Sequence, residues 1–289
     1  MRALLDEVMQ LLATSPLLDD EIRMDVGREA RVLMAATLGW TPGDVARRMD
    51  RLMAAAEREH IRDRVMHAAA RRARGEPLAY AVGTAAFRHM VLQVDARVLI
   101  PRPETEEVVE EALRLSAAWP GGIAVDIGTG SGAIALALAT EGRFERVIAT
   151  DISSDAIDVA AGNVASLAPA IPVELRLGAD LAPLDGVRAR VIVSNPPYIA
   201  YEEAEALPPS VRDWEPSVAL FAPDRGMARY IAVLSNASRF LEPGGFVVLE
   251  LDSRRAGETA ALAVKHHWVD LRIVRDLSGR ERVLVARRP

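Results

Sequence analysis

Asn195-Pro-Pro-Tyr198 puts a primary amide, two rigid prolyl units and an aromatic ring side by side. The apolar residues of Val191–Ser194 before it read as a buried strand. Two consecutive prolines end that strand, because they cannot donate ladder hydrogen bonds. In an open α/β sheet the carboxyl ends of the strands are where ligands bind. At such an edge these four residues suit the methylation of a planar nitrogen. The lone pair of an amide or exocyclic amino nitrogen is delocalised, so the nitrogen is a poor nucleophile and must be oriented. The side-chain oxygen of Asn195 and the carbonyl of Pro196 can each accept one of its N–H bonds. The prolines, Pro196 and Pro197, remove competing donors, and Tyr198 can stack on or close over the planar group. A sulfonium methyl needs no strong base, so orientation and exclusion of water carry much of the work. As an isolated string, the same four residues could form only a tight turn.

A second constellation precedes it. Asp126-Ile-Gly128-Thr129-Gly130-Ser131-Gly132 follows a predicted strand and opens a predicted helix. Its glycines allow a tight turn and close approach of backbone to ligand. Asp151 ends the next strand, where an acid grips ribose hydroxyls; it could instead cap a helix. The glycine turn and the acid together leave nicotinamide dinucleotides, flavins and S-adenosylmethionine open. Asn195-Pro-Pro-Tyr198 has no role in hydride transfer, and so favours the third. Asp180, at the end of a third strand, or its neighbour Leu181 is placed to meet an adenine, though Asp180 could be an ordinary turn acid. Asp126, Asp151, Asp180 and Asn195 thus share one sheet edge. No metal-ligand set is predicted, and His266 and His267 are expected at the surface.

The elements that must hold these residues are legible in outline. Ile123–Asp126, Val147–Thr150, Val173–Leu177, Val191–Ser194 and Phe246–Leu251 read as strands separated by helical stretches, one of them Asp224–Leu241. This alternation predicts a mostly parallel, Rossmann-like sheet covered on both faces. Leu271–Val274 and Val283–Val285 around Ser278-Gly279 predict a terminal antiparallel hairpin. Before the sheet, residues 1–75 read as a small helical bundle, with Leu4, Leu5, Val8, Leu11 and Leu12 at helical spacing. Thr41-Pro42 starts a helix, and Leu52, Met53, Ile61, Val65 and Met66 are core candidates in a longer one. Arg71, Arg72 and Arg74 could touch RNA, but read first as a solvated helix end. Residues 76–103 are expected to form a β-hairpin linker, with Val98–Ile100 in a strand. Residues 104–289 are then the catalytic domain.

Composition narrows the classes. There is no cysteine, which excludes disulfides and thiolate chemistry. The formal charge of −6 argues against tight, indiscriminate binding to phosphate backbones. Lysine occurs only at Lys265, a bias expected of a GC-rich genome. No run approaches the roughly 20 apolar residues needed to span a bilayer. A cytoplasmic monomer with no membrane association is expected.

At these residues the chain resembles the HemK/PrmC family of peptide chain release factor glutamine N5-methyltransferases. The resemblance runs through Gly75-Glu-Pro-Leu-Ala-Tyr80, Leu99-Ile-Pro-Arg-Pro-Glu-Thr-Glu106, the Asp126–Gly132 turn, Asp151-Ile-Ser153, Ser194–Ile199 and Glu215-Pro-Ser-Val-Ala-Leu220. Asn-Pro-Pro-Tyr alone is shared with DNA and rRNA amino-methyltransferases; the segment around Pro101–Glu106 is more specific. The resemblance implies S-adenosylmethionine as cofactor and, as substrate, the glutamine of the Gly-Gly-Gln loop in class I release factors, with the helical domain helping to hold the factor. It implies cofactor binding by Gly128–Gly132 and Asp151, Leu181 beside the adenine, and the glutamine held by Asn195–Tyr198. The alternatives are a methyltransferase acting on amino groups of DNA or RNA bases, and a binding protein that has lost activity. One departure stands out: the family usually has a glycine and then a glutamine soon after the glutamate ending the fifth strand, where this chain has Glu250-Leu-Asp252-Ser-Arg-Arg255.

Overall fold

The computed structural model describes residues 2–48 and 55–289. The chain divides into two compact units, Met1–Thr84 with Pro208–Trp214, and Ala85–Leu207 with Glu215–Pro289. In the first, α1 (Arg2–Ala13), α2 (Asp20–Met24), α3 (Val26–Leu38), α4 (Pro42–Arg48), α5 (Ala55–Ala73) and α6 (Leu78–Val82) follow one another. Leu4, Leu5, Val8 and Leu12 bury one face of α1 in a core that includes Leu33, Met34, Ile61 and Val65. Thr41 and Asp44 cap the start of α4 reciprocally: Asp44 N–H donates to Thr41 Oγ1 at 3.1 Å, and Thr41 N–H donates to Asp44 Oδ2 at 3.1 Å. The predicted core residues Leu52 and Met53 lie outside the described residues.

The arginines at the end of α5 are a correction. Arg72 is 5% exposed, its Nε donating to Glu29 at 2.6 Å and its Nη1 to the Glu76 carbonyl at 2.9 Å. Arg71 Nε donates to Glu76 at 2.9 Å. Only Arg74 is exposed as expected. A guanidinium has a long apolar stem and five donors, so it can be buried where fixed acceptors surround it.

The second unit begins with the hairpin of β1 (Thr84–Phe87) and β2 (Met90–Gln93). Val98–Ile100, expected in a strand, is irregular: Val98 N–H donates to the Asp95 carbonyl at 3.1 Å, and Ile100 N–H to the Glu215 side chain. Next come α7 (Thr105–Ala118), β3 (Ile123–Ile127), α8 (Ala133–Glu141), β4 (Arg146–Asp151), α9 (Ser154–Leu167), β5 (Val173–Leu177) and β6 (Ala189–Ser194). α10 (Pro209–Arg212) belongs to the first unit. α11 (Ser217–Leu220), α12 (Ala228–Asn236), β7 (Leu241–Glu250), α13 (Ala256–Lys265), β8 (Val269–Arg275) and β9 (Glu281–Arg287) complete the second.

Seven strands form one sheet in the order β5-β4-β3-β6-β7-β9-β8. The first five are mutually parallel, and β9 runs antiparallel to both neighbours. Successive residues of β3 face opposite sides: Ala124 packs with Val108, Val109 and Leu136, and Val125 packs with Tyr230, Val233 and Leu234. α7 and α8 therefore cover one face, and α12 covers the other. The long helix predicted over Asp224–Leu241 is shorter. A 3₁₀ turn at Asp224–Gly226, α12 and a second 3₁₀ turn at Ala237–Arg239 take its place, and Leu241 already belongs to β7. Pro243-Gly-Gly245 sits inside β7, where the register with β6 shifts between the pairs Ala189–Leu241 and Val191–Phe246. A bulge is where a strand tolerates a residue that cannot donate.

Candidate active site

The parallel register fixes the site. Ile127 pairs with Thr150 on one side and Ser194 on the other, and Asp151 pairs with Leu177. The residues just beyond these pairs, from Gly128, Asp151, Gly178 and Asn195 onward, must emerge together. They line one open cavity of about 810 Å³, mouth included.

Gly130 is at the apex of the glycine turn, with φ +55° and open space where a Cβ would be. Its N–H donates to Asp151 Oδ2 at 2.9 Å, and Ser153 N–H donates to Asp151 Oδ1 at 2.9 Å. Asp151 thus ties the turn to the next strand end. It does not cap α9, because Ser153 does that by accepting from Ala156 N–H at 3.2 Å. Asp126 stands behind the turn at 0% exposure. Its Oδ2 accepts from Thr129 Oγ1 at 2.7 Å and Ala135 N–H at 3.1 Å, while Oδ1 has no partner. Burial pushes this carboxyl up to about 7, the two hydrogen bonds oppose the shift, and the Asp151 charge adds to it.

Asn195 begins a chain of side-chain bonds. Its Nδ2 donates to Thr105 Oγ1 at 3.0 Å, and Thr105 donates to Glu250 Oε2 at 2.6 Å. Tyr198 OH points to the other oxygen, Glu250 Oε1, at 3.4 Å. Tyr230 OH donates to the Glu250 carbonyl at 3.0 Å and accepts from Asp252 N–H at 3.2 Å. Glu250 is 1% exposed, and burial pushes it up to about 7 against the bond from Thr105. Tyr198 is raised by burial and by Glu250. Among these residues only Asn195 lines the cavity, together with Pro196 and Pro197.

Ionic ties hold the rim. Arg229 Nη1 donates to both oxygens of Asp180, at 2.9 and 3.1 Å, and Asp180 has φ +48°. Arg102 pairs with the buried Glu215, whose Oε2 also accepts from Ile100 N–H at 3.3 Å. Burial nevertheless raises Glu215; the guanidinium is partly exposed and offsets only part of that cost. In the departing loop Arg254 Nη1 donates to Glu203 Oε1 at 2.6 Å, Arg255 Nη2 donates to Glu203 Oε2 at 2.8 Å, and both arginines pair with Asp252. Against the cost of burial, the arginines hold Asp252 below the usual carboxylate range, and Ala200 N–H, donating to Glu203 Oε2 at 3.0 Å, together with Arg255 does the same for Glu203.

Of the predicted residues, Gly128, Gly130, Asp151, Asp180, Asn195, Pro196 and Pro197 line the cavity. Asp126, Thr129, Ser131, Gly132, Leu181 and Tyr198 stand behind that wall; Leu181 is 5% exposed and packs in the core with Leu184 and Val187. Sequence reasoning missed Thr105, Glu250 and Arg229 as parts of the site. Thr105 lies in the segment singled out for its prolines and charges, but nothing in the string ties it to Asn195. His266 shares a hydrogen bond with Ser235 Oγ at 3.1 Å, and among the described residues no acid, histidine or cysteine cluster could hold a metal. No described helix is long and apolar enough to cross a membrane.

Known proteins resemble this chain in sequence and fold. A family model described as the PrmC N-terminal domain matches residues 13–83, and one described as the methyltransferase small domain matches residues 111–207. The release factor glutamine methyltransferase of Cereibacter sphaeroides is 40% identical over 222 residues, 77% of this chain and 78% of its own. That of Moorella thermoacetica is 39% identical over 267 residues, 90% of each chain. A methyltransferase from Pyrococcus furiosus shares the fold at TM-score 0.51 and 18% identity, over 68% of this chain and 87% of its own. With relatives this similar over most of their lengths, the chain belongs to the release factor glutamine methyltransferase family.

Proposed function

We propose that this protein transfers a methyl group from S-adenosylmethionine to the side-chain amide nitrogen of the glutamine in the Gly-Gly-Gln loop of class I release factors. The observation that carries the reading is the orientation of Asn195. Its NH₂ is committed to Thr105 at 3.0 Å, so its side-chain oxygen is the atom left for the cavity. That oxygen can accept a substrate N–H. The Pro196 carbonyl accepts the other, and the amide nitrogen is held with one face open.

The cavity suits the cofactor. Asp151 supplies an acceptor for ribose hydroxyls, Gly130 leaves room for close approach, and Leu99, Ile152 and Val218 give apolar wall for a base. When bound, S-adenosylmethionine supplies a methyl group already activated by its sulfonium. The chain's own residues then bind and orient. Asn195 and Pro196 fix the nitrogen, and the walls exclude water. The substituted nitrogen sheds its proton to solvent, and no side chain need act as a strong base. The helical unit helps hold the factor. We read the protein as a cytoplasmic monomer, and its formal charge of −6 argues against tight binding to nucleic acid.

The test incubates the protein with labelled S-adenosylmethionine and, separately, a release factor, the same factor with its loop glutamine changed to alanine, and DNA or rRNA. Label should enter the unaltered factor alone. Equal labelling of the altered factor would overturn the glutamine assignment, and labelling of nucleic acid would replace it.

A further inference from the structure

The chain Asn195–Thr105–Glu250 has a direction. An ionised carboxylate only accepts hydrogen bonds, so the Thr105 hydroxyl must donate to it. The Thr105 oxygen is then left as an acceptor, and the amide end that can serve it is NH₂. A protonated Glu250 could instead donate to Thr105, whose hydrogen would turn toward Asn195 and favour its oxygen. The amide would flip, presenting a donor where the substrate's own N–H must bind. Charge at the end of β7 thus reaches the cavity wall through one hydroxyl.

We propose that Glu250 is a positioning residue that, through the Thr105 hydroxyl, sets which end of the Asn195 amide faces the substrate. The proposal rests on the reading of Asn195 as the acceptor of a substrate N–H. The groups around Glu250 come from four elements. Thr105 and Glu104 stand at the start of α7, Tyr198 follows β6, Arg282 is on β9, and Tyr230 on α12 holds the Glu250 carbonyl. Arg282 and the two hydroxyls favour the charged carboxylate; burial and Glu104 oppose it, leaving it near neutrality, at about 7. The orientation of Asn195 therefore changes near neutral pH.

The test needs no substrate at first. Side-chain amide NMR signals of the labelled full-length protein are followed between about pH 5.5 and 8.5, the Asn195 pair being assigned from its loss in Asn195→Asp. The Asn195 signals should shift with a midpoint near neutrality. The titration should vanish in Glu250→Gln and Thr105→Val, and persist in Thr105→Ser. Turnover on a release factor is then compared. Thr105→Val should lower kcat by roughly 10²-fold with KM and cofactor Kd little changed, as expected for a displaced orienting group, and Thr105→Ser should recover most of it. The acid limb of the kcat profile should disappear in Glu250→Gln. An Asn195 signal that ignores pH in the unaltered protein would overturn the proposal, as would unchanged kcat in a folded Thr105→Val. If the unaltered protein methylates no release factor, the substrate reading fails, while the NMR titration still decides this one.

Discussion

On the proposed reading Asn195 is the residue on which the reaction turns, and its substitution separates binding from chemistry. Asn195→Ala removes the acceptor that faces the cavity but leaves the glycine turn and Asp151 in place. Methyl transfer should fall by about 10²-fold or more, in the range seen for deleting one oriented polar group. Cofactor binding by calorimetry should be nearly unchanged; loss of both would make the residue structural. Asp126 and Glu250 govern a second outcome. Each has a folded value of about 7, above its unfolded 3.8 or 4.5. Between those limits the folded state holds more protons than the unfolded state, so their contribution to stability shrinks as pH rises and is lost above about 7. Carboxyls lowered by arginines, such as Asp252, lose their contribution only at more acid pH. Urea midpoints should therefore fall from about pH 5 to pH 8, and Asp126→Asn or Glu250→Gln should flatten that fall. Equal midpoints at both pH values in the unaltered protein would contradict the burial argument. The sequence made Asn195 visible, because two prolines beside an amide have few other uses. It hid Thr105 and Glu250, which are 90 and 55 residues away from it along the chain and meet it only after the sheet has formed.

Among the elements, the turn before α12 braces the catalytic loop. Gly226 has φ +86°, and a Cβ there would run into the Tyr198 carbonyl and crowd Arg255 Nε. Both the conformation and the space require glycine. Gly226→Ala should cost about 1–3 kcal/mol of stability and displace Asn195–Tyr198, so kcat should drop before the cofactor is lost. Wild-type kcat in a folded Gly226→Ala variant would show that this turn does not set the loop. Arg255 joins the same brace, because its Nε donates to the Arg225 carbonyl at 2.7 Å while its other nitrogens hold Glu203 and Asp252. The loop that departs from the family pattern is thus ordered by ion pairs. The strands were legible because burial on both faces leaves continuous apolar runs. The 3₁₀ turns around α12 were not, since the positive φ of Asp224 and Arg225 carries no sequence signal of its own. Val98–Ile100 misled for a related reason. Its residues favour strands, but its backbone partners are a turn carbonyl, Asp95, and a buried glutamate side chain, Glu215, not a neighbouring strand.

Over the whole molecule, the helical unit and the sheet unit have separate cores, and a break in composition near Gly75 and Pro77 made that partition readable. The return of Pro208–Trp214 to the first unit could not be read, because nothing local marks that segment as belonging to residues far earlier in the chain. The strand order has a consequence for synthesis. β9 is made after every other strand in the sheet, yet it lies between β7 and β8. Until it emerges, β7 presents an unpaired edge over Phe246–Glu250, next to the buried carboxylate, and an open edge invites pairing with other chains. Released chains truncated before Glu281 should be cleaved by protease in β7 and bound by chaperones, and the full chain should resist both. The wall proposed to orient the substrate is therefore finished by the last strand of the sheet to arrive, and for the interval before that, the growing chain depends on its cell to keep that edge from a wrong partner.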